Sequence, residues 1–156
     1  VQTARRGYGE AVSTSRDGYR HWQRIPTRWA DNDVYGHVNN VVHYAFMDTV
    51  INTWLIAAGL DIQAGQEIGL CVESHCNYRA SVSFPDALDA GLRVGHLGRS
   101  SVRYEVGFFV EGSDGEGRDD VVAEGHFVHV FVDRTSRKPV EIPANLRTAM
   151  EGLVVA

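Results

Sequence analysis

A carboxylate placed just ahead of a helix start can hydrolyse an activated carbonyl. The stretch Arg28-Trp29-Ala30-Asp31-Asn32-Asp33-Val34-Tyr35-Gly36-His37-Val38-Asn39-Asn40 supplies that pairing. Asp33 is the candidate acid. An unperturbed aspartate is ionised at neutral pH; it either attacks a carbonyl carbon directly, giving an anhydride, or holds and deprotonates water. The first backbone N–H groups of a helix carry partial positive charge and have no intrahelical acceptor. They suit the oxygen of a carbonyl under attack, and losing one such donor costs about 3–4 kcal/mol in comparable sites. Among residues 38–41 we place the donor at Asn40, with Gly36 leaving the turn open to close approach. His37, between acid and helix, reads equally as a contact to the reacting groups and as a structural turn residue. The bland readings stand beside these: Asp is common in turns, and Asn39 and Asn40 both suit an N-cap, which does not conflict with a backbone donor.

The elements that must position this stretch follow from periodicity and punctuation. Trp22, Ile25 and Trp29 frame a first strand over 21–29, with Pro26 assigning part of it to a sheet edge. From Val41 to Ala58 there is no Pro or Gly, and Gly59 stands where a helix end favours a left-handed residue. Apolar residues on most sides of this helix imply burial. Asp48 in its middle therefore needs a partner and reads as hydrogen-bonded and structural. Strand signals then dominate: 68–82, a turn at Phe84-Pro85-Asp86, 88–97, 101–111 and 121–133. Val102, Tyr104, Val106, Phe108 and Val110 fall on one face. The segment 112–119 reads as a glycine-rich acidic hairpin loop, and Pro143 opens a short terminal helix through Met150. One early buried helix followed by consecutive antiparallel strands is an α+β layout, a sheet curled round the helix.

At 156 residues the chain suits one domain over 21–156, preceded by a polar, small-residue extension over 1–20 that reads as loose. A net charge of −5 excludes a general nucleic-acid binder. No run is long and apolar enough to span a membrane and no signal-like segment opens the chain, so a cytoplasmic location is expected. Cys71 and Cys76, five apart in a strand-like run, are expected on opposite faces as two buried thiols without a disulfide. The spacing of the seven histidines gives no ligand set, since His126 and His129 face opposite ways along a strand, and no metal is expected. No Gly-x-Ser-x-Gly elbow exists, which disfavours a serine hydrolase.

Asp33-x-x-Gly36-His37-Val38-Asn39-Asn40, preceded by Arg28-Trp29-Ala30-Asp31, resembles the hotdog-fold acyl-CoA thioesterases, in particular the 4-hydroxybenzoyl-CoA thioesterase group. The resemblance continues through residues 72–80, 84–86 and 97–101 and covers roughly 22–150. It implies a hotdog fold, Asp33 as catalytic carboxylate (nucleophile or general base), and an oxyanion donor at the helix start. It also implies an acyl-CoA substrate, with coenzyme A as part of that substrate and no separate cofactor, and a homodimer or homotetramer with sites at the subunit boundary. Asp31 resembles a partner carboxylate of the motif but reads as a solvent-facing charge. Glu73 is a second candidate acid, because some hotdog thioesterases carry a catalytic Glu on that part of the fold; it shares a strand face with His75. Arg99-Ser100-Ser101 matches the position of basic nucleotide contacts, with Arg79 and Arg103 as further options. Other activities of the same fold are an acyl-carrier-protein thioesterase and an enoyl-thioester hydratase, the latter disfavoured for want of its Asp/His arrangement. A non-catalytic acyl-thioester binding module is the reading from another class.

Overall fold

The structure is a computed structural model and describes residues 15–111 and 119–155. Its elements are β1 (His21–Pro26), α1 (Asn40–Ala57), β2 (Glu67–Tyr78), β3 (Ala87–Leu97), β4 (Ser101–Val110), β5 (Val121–Asp133) and α2 (Ala144–Glu151). The five strands form one antiparallel sheet in the order β1-β3-β4-β5-β2. One edge falls where the sequence places it, since Pro26 lies in edge strand β1. The alternation expected in β4 holds: Val102, Tyr104, Val106 and Phe108 are fully buried, and Leu88, Ala90, Leu92 and Val94 do the same in β3. These residues form the inner face, on which α1 lies through Phe46, Met47, Val50, Ile51 and Leu55. Among the described residues no helix is long and apolar enough to cross a membrane.

Three expectations are corrected here. Although apolar on most sides, α1 is buried along one flank only: Val41 is 65% exposed and Ile56 49%, because the sheet of a single chain wraps a single side of the helix. The two cysteines share a face. A β-bulge between Cys71 and Glu73 shifts the register, so Cys71 opposes His129 while Cys76 opposes Gly125, and the extra residue reverses the alternation. Of the two thiols, Cys76 is buried and Cys71 exposed. Packed structure is also present before residue 21. A short 3₁₀ turn spans Arg16–Gly18, and Tyr19 lies buried on the outer face of the sheet against Phe109 and Trp22. Residues 1–14 of the expected extension, and 112–118 of the expected hairpin loop, lie outside the described residues.

Tyr19 fits the outer face because β3 and β4 present glycines under it. A Cβ on Gly91 would stand 2.6 Å from Tyr19 Cγ. Beside it Arg93 donates to Glu105 at 2.7 Å, both side chains nearly inaccessible, and the guanidinium sits 4.6 Å from the Tyr19 ring centre. Gly91→Ala should therefore lower the unfolding free energy by about 1–3 kcal/mol, the usual cost of overpacking. In a Tyr19→Ala background it should cost less than half as much; denaturant titration of the double-mutant cycle measures this.

Candidate active site

The turn ahead of α1 is built by its own polar groups. Asp33 N–H donates to the His37 carbonyl at 2.9 Å, Gly36 N–H to the Asp33 carbonyl at 3.1 Å, and Tyr35 N–H to Asp33 Oδ1 at 2.8 Å. Gly36 has φ +81°, a left-handed conformation that favours glycine. Asp33 is half-buried, His37 exposed. The turn is tied to the Phe84-Pro85 corner, whose peptide is cis: Ser83 Oγ donates to the Gly36 carbonyl at 2.7 Å and Phe84 N–H to Asn32 Oδ1 at 3.1 Å. Val38 N–H donates to the Val82 carbonyl at 2.7 Å, and Trp29 packs edge-on against Phe84.

Asp31 is not the solvent-facing charge expected from the sequence. Its side chain has no exposed surface, and it accepts from Arg28 N–H at 2.7 Å and from the Arg28 guanidinium at 2.7 and 3.1 Å. Burial pushes its carboxyl up, but the Arg28 hydrogen bonds and charge outweigh this and hold it below the usual carboxylate range. The signal was present as Arg28 three residues upstream, a spacing that closes one 3₁₀ turn.

The helix start follows from this turn. The Asp31 carbonyl accepts Asn39 N–H at 2.9 Å, and Asn39 Oδ1 then accepts Val41 N–H at 3.1 Å, the expected N-cap. The Asn39 carbonyl accepts Val42 N–H at 2.9 Å and His43 Nδ1–H at 3.2 Å. Tyr78 O–H, from β2, donates to the Asn40 carbonyl at 2.9 Å. Of the first-turn donors, the N–H of Asn40 has no acceptor among the described residues. Asp33, His37 and Asn40 are thus brought together on one turn and the helix end it leads into. His43 and Tyr78 were missed by sequence reasoning; only the first, one turn inside the helix, was within its reach.

The remaining candidates lie elsewhere in this chain. Glu73 and His75 do share a face, but it is the outer one, away from α1. His75 opposes His126, which in turn opposes Glu105. Glu73 accepts from His126 Nε2 at 2.7 Å, and this bond holds its carboxyl below the usual range; His126 Nδ1 accepts from Arg103 at 3.3 Å, and the two imidazoles stack. Arg79 pairs with Glu124. Arg99 is 80% exposed and paired with Glu141 at 2.8 Å. With Ser100 and Ser101 it sits at the β3–β4 turn, whereas Phe108 at the other end of β4 touches His43; seven residue steps separate Ser101 from Phe108, roughly 24 Å. Asp48 is exposed on α1 and accepts from Asn52 at 3.0 Å, so its partner is hydrogen-bonded as expected while its setting is not buried. No group of three or more His, Cys, Asp or Glu among the described residues is arranged to hold a metal. A surface recess of about 510 Å³ beside β1, lined by Arg16, Tyr19, Trp22, Gln23 and Asp89 among others, includes none of the candidates.

A five-stranded antiparallel sheet wrapped on one long helix, with an acidic turn at that helix's start, is the architecture of the hotdog-fold thioester hydrolases. The chain belongs to the Thioesterase-like superfamily, whose family model matches residues 27–150. It is similar to the crystal structure of the PA5185 protein from Pseudomonas aeruginosa strain PAO1, with 53% identity, TM-score 0.86, and coverage of 91% of this chain and 96% of that one. A putative thioesterase from Pseudomonas aeruginosa, the PA2801 protein, is 28% identical, with TM-score 0.77 and coverage of 85% and 98%. A mutant 4-hydroxybenzoyl CoA thioesterase complexed with 4-hydroxybenzoyl CoA shares the fold at 15% identity, TM-score 0.71, and coverage of 83% and 96%. No curated protein matches the chain.

Two buried imidazoles, His43 beside the helix start and His129 opposite Val102 toward the other end of the sheet, give the protein a pH signature. Burial pushes His43 and His129 below the ordinary histidine value. Their neutral forms therefore favour the folded state above the unfolded pKa of about 6.5, and stability is lost as pH falls below it, by at most about 1.4 kcal/mol per pH unit for each group. The unfolding free energy, followed by urea titration from pH 7.5 to 5, should fall less steeply in His43→Phe than in the native protein.

Proposed function

We propose that this thioester hydrolase acts on a fatty or aromatic acyl-CoA, releasing the free acid and coenzyme A, with Asp33 as the reacting carboxylate and the Asn40 backbone N–H as oxyanion donor. The observation that carries this reading is the unshared Asn40 N–H at the start of α1, on the turn that also holds Asp33. The thioester oxygen accepts from that N–H, where the helix-end field favours developing negative charge. Tyr35 N–H engages Oδ1 of Asp33 and leaves Oδ2 for chemistry. By one route Asp33 takes a proton from water as the water oxygen bonds to the carbonyl carbon; the adduct then breaks its C–S bond, and the thiolate departs and receives that proton. By the other, the carboxylate bonds to the carbon, the C–S bond breaks, and water hydrolyses the resulting anhydride. His37, exposed on the same turn, borders the approaching thioester. Glu73 has no part in either route, because it lies on the opposite side of the sheet.

The working unit is a homodimer or a homotetramer built from dimers. Strand β2 runs for twelve residues at a sheet edge with one buried side chain, Cys76; so long a bare edge invites pairing with another chain. Beside it the uncovered flank of α1 presents Val41 and Ile56. Antiparallel pairing of β2 with the same strand of a second copy brings that copy's β3–β4 turn to the end of the joined sheet where this chain holds Asp33. Arg99, Ser100 and Ser101 of the second copy would there meet the coenzyme phosphates, Arg99 exchanging Glu141 for phosphate. The acidic net charge leaves such contacts to local arginines.

Thiol release from a panel of acyl-CoA substrates tests the assignment. Asp33→Asn should keep the native circular dichroism spectrum and lose at least about 100-fold in kcat; retained turnover would overturn it. Light scattering should give at least twice the chain mass, and Arg99→Ala should raise KM for acyl-CoA roughly tenfold, the worth of one charge-assisted bond, with little change in kcat.

A further inference from the structure

We propose that His43 is a positioning residue for the oxyanion donor: its Nδ1–H grips the Asn39 carbonyl, and through the rigid peptide plane this aims the Asn40 N–H at the thioester oxygen. The proposal rests on the thioesterase reading above. The carbonyl of Asn39 and the N–H of Asn40 belong to one peptide unit, which resonance keeps planar. A donor on the carbonyl therefore fixes the direction of the N–H on the opposite side. Val42 N–H supplies one donor at 2.9 Å and His43 Nδ1 the second at 3.2 Å. Donation into a carbonyl also polarises the N–H of the same unit, the cooperative strengthening seen along hydrogen-bond chains.

The setting of the imidazole suits it to this task. It is 3% exposed and wedged among aromatic rings, with centroids 5.1 Å from Tyr78, 6.1 Å from Phe108 and 6.2 Å from Phe46. Among the described residues its Nε2 has no hydrogen-bond partner. A neutral imidazole carries one N–H, and with nothing for Nε2 to donate to, that proton belongs on Nδ1, facing the Asn39 carbonyl. Burial favours the neutral ring. A half-satisfied polar ring in an aromatic setting costs stability, and an apolar ring would fill the same space without that cost. What an apolar ring lacks is the donor. Tyr78 reinforces the arrangement from β2: it packs on His43 while its hydroxyl holds the next carbonyl, that of Asn40.

The test compares native protein, His43→Phe, His43→Asn and Asp33→Asn with the full chain and the best acyl-CoA of the panel. Phenylalanine fills the site without a donor, whereas asparagine places an amide N–H near the position of Nδ1. His43→Phe should fold and lose about tenfold or more in kcat, part of the 10²–10³ that follows removal of a whole donor, with KM within twofold. His43→Asn should regain most of the loss. In ¹H–¹⁵N spectra recorded without substrate, the Asn40 amide proton should move upfield in His43→Phe and return toward its native position in His43→Asn. A His43→Phe protein with native kcat, or with an unmoved Asn40 amide, overturns the proposal, as does a kcat loss that asparagine does not repair. If instead Asp33→Asn turns over normally, the thioesterase assignment of Asp33 fails, and the Asn40 amide still reports whether His43 holds that peptide.

Discussion

A carboxylate with no exposed surface decides where α1 begins. Burying the charge of Asp31 would be costly in isolation. Three donors from Arg28, one from its backbone and two from its guanidinium, offset that cost within a single 3₁₀ turn. Because the guanidinium is itself largely in water, the pair does more to fix geometry than to add stability. Its geometric effect is direct. With the side chain locked, the Asp31 carbonyl faces Asn39, Asn39 is free to cap Val41, and the first peptide of the helix is left with its carbonyl held and its N–H unshared. The turn carrying Asp33 is strung between these fixed points and pinned from outside by Ser83 and Phe84.

The remainder of the fold serves this corner unevenly. The inner face of β3 and β4 is dry and fully packed, giving α1 a rigid bed along one flank. On the other flank, and along β2, one chain leaves apolar side chains and ladder groups in contact with water. The outer face is polar by contrast. Arg93, Glu105, Arg103, His126 and Glu73 are linked in sequence across four strands, from β3 to β2. Charge is therefore carried on the side of the sheet away from the helix, where it can be paired without disturbing the core.

Much of this was legible in the sequence because it is local. The absence of Pro and Gly between Val41 and Ala58, the capping chemistry of Asn39, and the need for a left-handed residue at Gly59 set the helix within a residue of its observed limits. Alternation from Val102 to Phe108 gave the inner face of β4 directly. What escaped was non-local. Nothing near Tyr19 announces the glycines of β3 and β4 that receive it. The distance from Arg99 to the helix start depends on strand order, and the turn that follows Asp31 is tied to a corner some fifty residues away in sequence. The exposed flank of α1 escaped because a helix apolar all round does not say how many chains are needed to cover it.

The bulge in β2 has a consequence larger than its size. Up to Cys71 the odd-numbered side chains of that strand turn inward; from Ser74 onward the even-numbered ones do, so that Tyr78 reaches Asn40 while Glu73 and His75 turn outward. In an unbroken pleat one of these two sets would have changed sides. A single inserted residue thus decides which surface of the sheet Glu73 faces: with Cys71 held inward, a β2 without it turns that carboxylate toward the helix with no change to the side chain itself.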